Sequence, residues 1–265
     1  MSAMTGPFGG SIPPVVKNLL IINGLLFLLK MSLGTDAMGR SILDGMLGMH
    51  YVGSPLFKPW QVVTHMFMHA DLGHLFFNMF ALYMFGGPVE RTFGSKRFLN
   101  YYLITGFGAV MLHTGVNAIE VRQHQADLAT YGVALSAVDL AVTESTYDVQ
   151  SADQELQAIV RASGAPYDVV AKVFFDRIMV MIGASGAVFG VLLAFGMLFP
   201  NAQLFLLFPP IPIKAKYFVI GYGVIELVSG LSRNPENNVA HFAHLGGMLF
   251  GFLLIKHWRK QGQLW

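Results

Sequence analysis

The chain has 265 residues, of which 54% are hydrophobic and only 12% charged, with a formal net charge of +2. Soluble domains carry about a quarter charged residues, so this composition and a mean hydropathy of +0.54 exclude an ordinary soluble enzyme, a disordered chain and a nucleic-acid binder. Cysteine is absent, which removes disulfides, thiolate nucleophiles and cysteine metal sites and leaves covalent chemistry to Ser, Thr, Lys, His or carboxylates.

Residues 1–14 lack a basic n-region and are expected to be a short cytoplasmic segment, not a cleavable signal. The first apolar stretch, Val15 to Leu33, is long enough to span, and Lys17 and Lys30 near its ends can snorkel to the interfaces. Further spans are expected at Leu72 to Gly87, Phe98 to Gly115, Ile182 to Phe199, Tyr217 to Leu231 and Val239 to Lys256, which makes six. Several are short or interrupted by glycine, as in helices packed within protein. With both termini cytoplasmic, the inner side collects Lys17, Arg91, Lys96, Arg97, Lys214, Lys216, Lys256, Arg259 and Lys260, against Glu90 alone. The fold class is therefore an all-α polytopic membrane protein, with a membrane domain over 15–256 and a tail over 257–265.

A polar tract at 116–177 separates the third and fourth spans and holds far more Asp and Glu than Lys and Arg, which places it outside. Ser151 with Gln154 resembles a capping box, Leu156, Ile159 and Val160 recur at helical spacing, and Gly164 with Pro166 marks a stop. A small helical extracytoplasmic insert is expected, with a second helix from Asp168 to Met181 leading into the fourth span.

Polar residues within spans are the default functional candidates, because lipid makes them costly. They are His65 and His69 just before the second span, His74 and Asn78 within it, Ser185, Glu226, His241 and His244. Ser185 lies in Gly183-Ala184-Ser185-Gly186, where glycines permit a sharp entry into a helix whose first amides can face an oxyanion. Gly247 and Gly251 follow His244 on one helical face, and Gly186 and Gly190 form a matching pair after Ser185. Two such faces let helices approach closely, bringing serine and imidazole within hydrogen-bond reach. His74 and Asn78 are one turn apart, and both can donate to a carbonyl oxygen gaining charge.

These motifs resemble the rhomboid family of intramembrane serine proteases. The resemblance rests on His69, His74 and Asn78, Gly86-Gly87-Pro88-Val89-Glu90-Arg91, the Gly-x-Ser-Gly string, and Ala243-His244 with Gly247 and Gly251, in family order across the spans. It implies a six-transmembrane-helix bundle in which Ser185 is the nucleophile, His244 the general base, and His74 with Asn78 the side-chain part of the oxyanion hole. Glu90 and Arg91 match the family's structural pair. The resemblance further implies an endopeptidase of transmembrane-helix substrates, a bacterial inner membrane, no cofactor, no metal and no nucleic-acid partner. Substrate entry is expected past the fifth span and the Ser232 to Asn238 loop. Two departures stand out: Trp60 is followed by Gln61 where the family has a Trp-Arg pair, and the insert is long.

The sixth span holds no acid, Asp71 lies near the interface and Glu226 is in another span, so a Ser-His dyad is expected. Phe189, one turn after Ser185, can stack on His244, while His241 is out of register with the glycines and is assigned to packing or the rim. The alternatives are a non-catalytic rhomboid-like binder of membrane segments, and a metal transporter using His65, His69, His74, His241 and His244. The second lacks His-Glu-x-x-His and any carboxylate beside the histidines of the second or sixth span.

Overall fold

A computed structural model describes residues 11–146, 148–205, 211–232 and 240–264. The expected entry loop lies almost wholly outside the described residues, as do Val239 and Trp265. Nine principal helices follow in chain order: α1 (Pro14–Leu33), α2 (Leu72–Phe93), α3 (Ser95–Ala129), α4 (Leu135–Glu144), α5 (Val149–Ser163), α6 (Tyr167–Ile178), α7 (Ser185–Leu198), α8 (Ala215–Leu231) and α9 (His241–Lys260). Of these, α1, α2 and α3 are long and apolar enough to cross a membrane, and α7 is a shorter apolar helix. The chain divides into two compact units, one of residues 1–25, 69–113 and 183–265, the other of residues 26–68 and 114–182.

In the first unit, α7 packs along α9, and α8 packs on both. Glycines let this happen. A side chain at Gly247 would collide with the backbone carbonyl of Gly186, so the two helices touch main chain to main chain at that point. The spacing predicts that the two glycine pairs face each other, but they do so only at Gly186 and Gly247. Gly190 and Gly251 instead make room for α3: the first faces Thr105, the second Tyr101, and the Tyr101 hydroxyl donates to the Gly190 carbonyl at 2.8 Å. Leucine, isoleucine and phenylalanine side chains on α1, α2 and α8, among them Leu25, Leu28, Phe76, Phe77, Ile220 and Ile225, are exposed, as the lipid-facing surface of a bundle requires.

The C-terminal half of α2 contains a π-helical segment, Leu82–Gly86, shortly before Pro88. Proline has no N–H to give and its ring crowds the carbonyl of the preceding turn, so the wider turn accommodates it. Glu90, 2% exposed, accepts from the backbone N–H groups of Val15 at 3.0 Å and Val16 at 2.8 Å, and from the Ser95 hydroxyl at 2.7 Å. It thus satisfies the orphan donors at the start of α1. Arg91 donates to the Ser11 carbonyl at 3.1 Å.

The second unit departs from expectation in three places. Helix α3 does not stop at Gly115 but runs on to Ala129, with Val121 and Leu128 buried, because propagating an existing helix is cheap and no proline intervenes. Asp148, not Ser151, caps α5, accepting from the N–H groups of Gln150 at 2.9 Å and Ser151 at 3.3 Å. Gly164 ends α5 in the left-handed conformation. Helix α6 ends at Ile178, after which Val180–Met181 pairs antiparallel with Met49–His50, so an extended segment, not a helix, leads toward Ser185. Residues 26–68 share this unit with the tract: Ser54 donates to the Arg177 carbonyl at 2.6 Å, and Arg177 pairs with Asp139 at 2.7 Å. Its apolar core joins Leu128 of α3, Val138 and Val142 of α4, Leu156 and Ile159 of α5, and Val170, Val173 and Phe174 of α6.

At position 61, the buried glutamine ties its loop together. It accepts from Lys58 N–H at 3.1 Å and donates to the carbonyls of Met46 at 3.4 Å and Leu56 at 3.3 Å.

Removing the Glu90 carboxylate leaves buried amides at the head of α1 without acceptors. Glu90→Ala should destabilise the folded protein by about 2 kcal/mol or more, read as a lower melting temperature in detergent, while Arg91→Ala should cost less.

Candidate active site

The site is assembled from α2, α7, α8 and α9, all within the first unit. Ser185 is the first residue of α7. Its position depends on Gly183, whose φ of +130° is one that residues with a Cβ rarely adopt. A Cβ there would also lie 2.8 Å from Cε1 and 2.9 Å from Nε2 of His74. Conformation and space both demand glycine at this point.

His244, the fourth residue of α9 and 8% exposed, points its Nε2 at Ser185. The Ser185 Oγ to His244 Nε2 distance is 2.8 Å, the reach of a hydroxyl donating to a neutral imidazole. Phe189 lies flat on the His244 ring, centroids 4.2 Å apart and planes within 6°, and its other neighbour is Tyr222 of α8 at 5.4 Å. The imidazole is therefore confined to one plane before any substrate arrives.

His74 sits on the other side of the Ser185 turn. Asp71 caps α2 by accepting the His74 N–H at 2.8 Å, and the Ala70 N–H approaches His74 Nδ1 at 3.4 Å. With Nδ1 accepting, the proton belongs on Nε2, the atom beside Gly183. Asn78 is buried one turn further and donates from Nδ2 to the His74 carbonyl at 3.0 Å, so one of its two amide protons is used within α2. The Ser185 amide, at the start of α7, has no intrahelical acceptor by its position.

The expectation that no acid accompanies His244 is corrected by Glu226. Its Oε2 receives the His244 Nδ1–H at 2.9 Å and the His241 Nδ1–H at 2.7 Å, and the residue is 6% exposed. Being on a different span did not keep it away, because α8 closes on α9 at two glycines. Gly223 faces Met248, and a Cβ at Gly230 would stand 3.2 Å from the His241 Cβ. Gly223, Glu226 and Gly230 share one helical face, and small residues on both sides of an intramembrane acid are the signal in the sequence that could have marked it as packed and not lipid-facing. His241 likewise belongs to this cluster and not to an outer rim.

The histidines do not all gather. His65 lies in the second unit, where its Nδ1 is 2.9 Å from the Gln61 carbonyl, and His69 is packed edge-on to His74 with centroids 5.1 Å apart. Among the described residues, Glu226, His241 and His244 form the one group of three His and carboxylate side chains with ligand atoms within 4.8 Å of one another.

The rhomboid domain model matches residues 56–135 and 155–260. An uncharacterized mitochondrial rhomboid protein of Schizosaccharomyces pombe is 29% identical over 213 residues, covering 76% of this chain and 52% of that protein. The mitochondrial RHOMBOID-like protein 12 of Arabidopsis thaliana is 27% identical over 70% of this chain and 42% of its own length. The rhomboid protease AarA of Providencia stuartii is 25% identical over 74% of this chain and 54% of its own. The chain thus spans about half the length of these curated relatives. With the family model covering most of the residues that build the Ser185 and His244 helices, the chain is a multi-pass membrane protein of the rhomboid family.

Proposed function

We propose that this protein is an intramembrane serine endopeptidase that cuts transmembrane-helix substrates near the outer membrane face. The observation that carries the reading is the 2.8 Å approach of Ser185 Oγ to His244 Nε2, two polar side chains otherwise costly to place between packed helices. Ser185 attacks the peptide carbonyl as His244 takes its proton. His74, Asn78 and the Ser185 amide hold the oxyanion, and His244 returns the proton to the departing amine before water releases the acyl group. Gly186 and Gly247 support this arrangement by close backbone approach, Gly183 leaves room for the His74 ring and Gly251 for Tyr101, and Phe189 stacks on the base.

The membrane domain over 15–256 is read as six spans, formed by α1, α2, α3, α7, α8 and α9, with the 116–177 tract outside and both termini on the cytoplasmic side. The membrane is taken to be a bacterial inner membrane; relatives with mitochondrial names make a mitochondrial membrane the specific alternative. Substrates must present a peptide bond to Ser185, so a helix that unwinds readily at its outer end is favoured.

A second reading, a metal-dependent membrane protein, draws on the Glu226, His241 and His244 group. The two differ in chelator sensitivity.

Ser185→Ala and His244→Ala should each abolish cleavage of a membrane-embedded reporter without loss of folding, and Ser185→Ala should abolish fluorophosphonate labelling. Cleavage by folded Ser185→Ala would sink the assignment. Asn78→Ala is expected to lower kcat by about 10²-fold with little change in KM; a loss confined to KM would make Asn78 a structural residue only. EDTA should leave both labelling and cleavage unchanged, whereas chelator-sensitive activity would favour the metal reading.

A further inference from the structure

A carboxylate buried among membrane helices is costly unless its charge is met by donors. Glu226 meets that condition in an unusual way. One oxygen, Oε2, receives Nδ1–H from two imidazoles of the next helix, His244 at 2.9 Å and His241 at 2.7 Å. The opposite ring nitrogen of His244 is the one at Ser185, so carboxylate, imidazole and hydroxyl form a single hydrogen-bonded line: Glu226 Oε2, His244 Nδ1, His244 Nε2, Ser185 Oγ.

We propose that Glu226 is a positioning residue that completes this line into a Ser185-His244-Glu226 triad, with His241 as a second donor that anchors the carboxylate; the inference rests on the serine-protease reading above. Its work is twofold. Accepting Nδ1–H fixes the tautomer of His244, leaving the Nε2 lone pair free to take the Ser185 proton. When the Oγ to carbon bond forms and the carbonyl pair moves to oxygen, that proton passes to Nε2 and the ring becomes an imidazolium. The ring then faces a carboxylate already in place, so the new positive charge arises beside a negative one in a medium of low dielectric. On collapse the Nε2 proton passes to the leaving amine as its bond to carbon breaks, and the neutral ring returns. Glu226 stays ionised throughout and touches neither substrate nor reacting atoms.

His241 explains why the carboxylate stays in place. Its ring approaches Glu226 from one turn before His244, with the two imidazoles nearly perpendicular and centroids 6.5 Å apart. Two donors on one oxygen keep Glu226 solvated by protein when His244 alters its charge. Gly230, against which the His241 Cβ is packed, sets the spacing.

The test compares wild type, Glu226→Gln and His241→Ala, purified in proteoliposomes, by kcat and KM on a transmembrane reporter, fluorophosphonate labelling rate and melting temperature. The isosteric Glu226→Gln should lower kcat and labelling rate together by about 10²-fold or more, with KM and melting temperature close to wild type. His241→Ala should lower kcat by about tenfold or less, since His244 keeps its acceptor. If Glu226→Gln does not fold, Glu226→Asp, which keeps the charge but withdraws it by one methylene, should show a reduced kcat at unchanged KM. Wild-type kcat and labelling in the folded Glu226 variants, or a loss seen only in KM or melting temperature, overturns the triad and leaves Ser185 and His244 as a dyad. A wild type that neither labels nor cuts, or an active Ser185→Ala, overturns the protease reading and the triad with it.

Discussion

The contact of Gly186 with Gly247, backbone against backbone, is the constraint on which the site depends. Between helices surrounded by lipid there is no hydrophobic force to drive association, because hydrocarbon solvates apolar side chains as well as protein does. Close approach must come from small residues and from hydrogen bonds. One methyl group at Gly247 would push α9 off α7, and the 2.8 Å line from Ser185 to His244 would open with it. The other glycines of these helices serve a different neighbour, since Gly190 and Gly251 admit α3 and let Tyr101 reach the Gly190 carbonyl.

The same scarcity of water governs the buried polar groups. Glu90 is met by two backbone amides and a hydroxyl, Thr105 donates to its own helix, and Glu226 is met by two imidazoles. None of these is an ornament of the bundle, because an unmet polar group in this setting costs more than most single packing changes. The arrangement at Glu90 holds the start of α1 to the end of α2, and the one at Glu226 holds α8 to α9. Fold and candidate chemistry draw on one rule.

The second unit is held together by apolar packing, a helix cap and an ion pair. It has a core of aliphatic and aromatic side chains, an aspartate cap on α5, and Arg177 bound to Asp139. Asp176, held near His124 at 2.8 Å, has its carboxyl pushed above the usual carboxylate range, chiefly by burial. Because α6 contributes Val170, Val173 and Phe174 to a core shared with α4 and α5, the acidic tract is a packed helical unit and not an extended loop. It is folded together with residues 26–68.

The amino-acid sequence by itself determined the membrane class, the helical character of each span and the family, since hydropathy, glycine spacing and the Ser185 and His244 motifs are local patterns that survive without a fold. It also offered Gly183, His74 and Asn78 as candidates, read from residue type and spacing on one turn or one helix. Helix ends were less legible. The continuation of α3 past Gly115 and the switch from helix to strand after Ile178 were decided by the packing of Val121 and Leu128 and by the pairing of Val180 with His50, partners far away in the chain. Glu226 was invisible as a neighbour of His244 for the same reason. Fifteen positions and a helix boundary separate it from His241, and only the tertiary closure of α8 on α9 at Gly223 and Gly230 brings its carboxylate to the imidazoles, because distance between spans is set by side-chain volume at the crossing and not by separation along the chain.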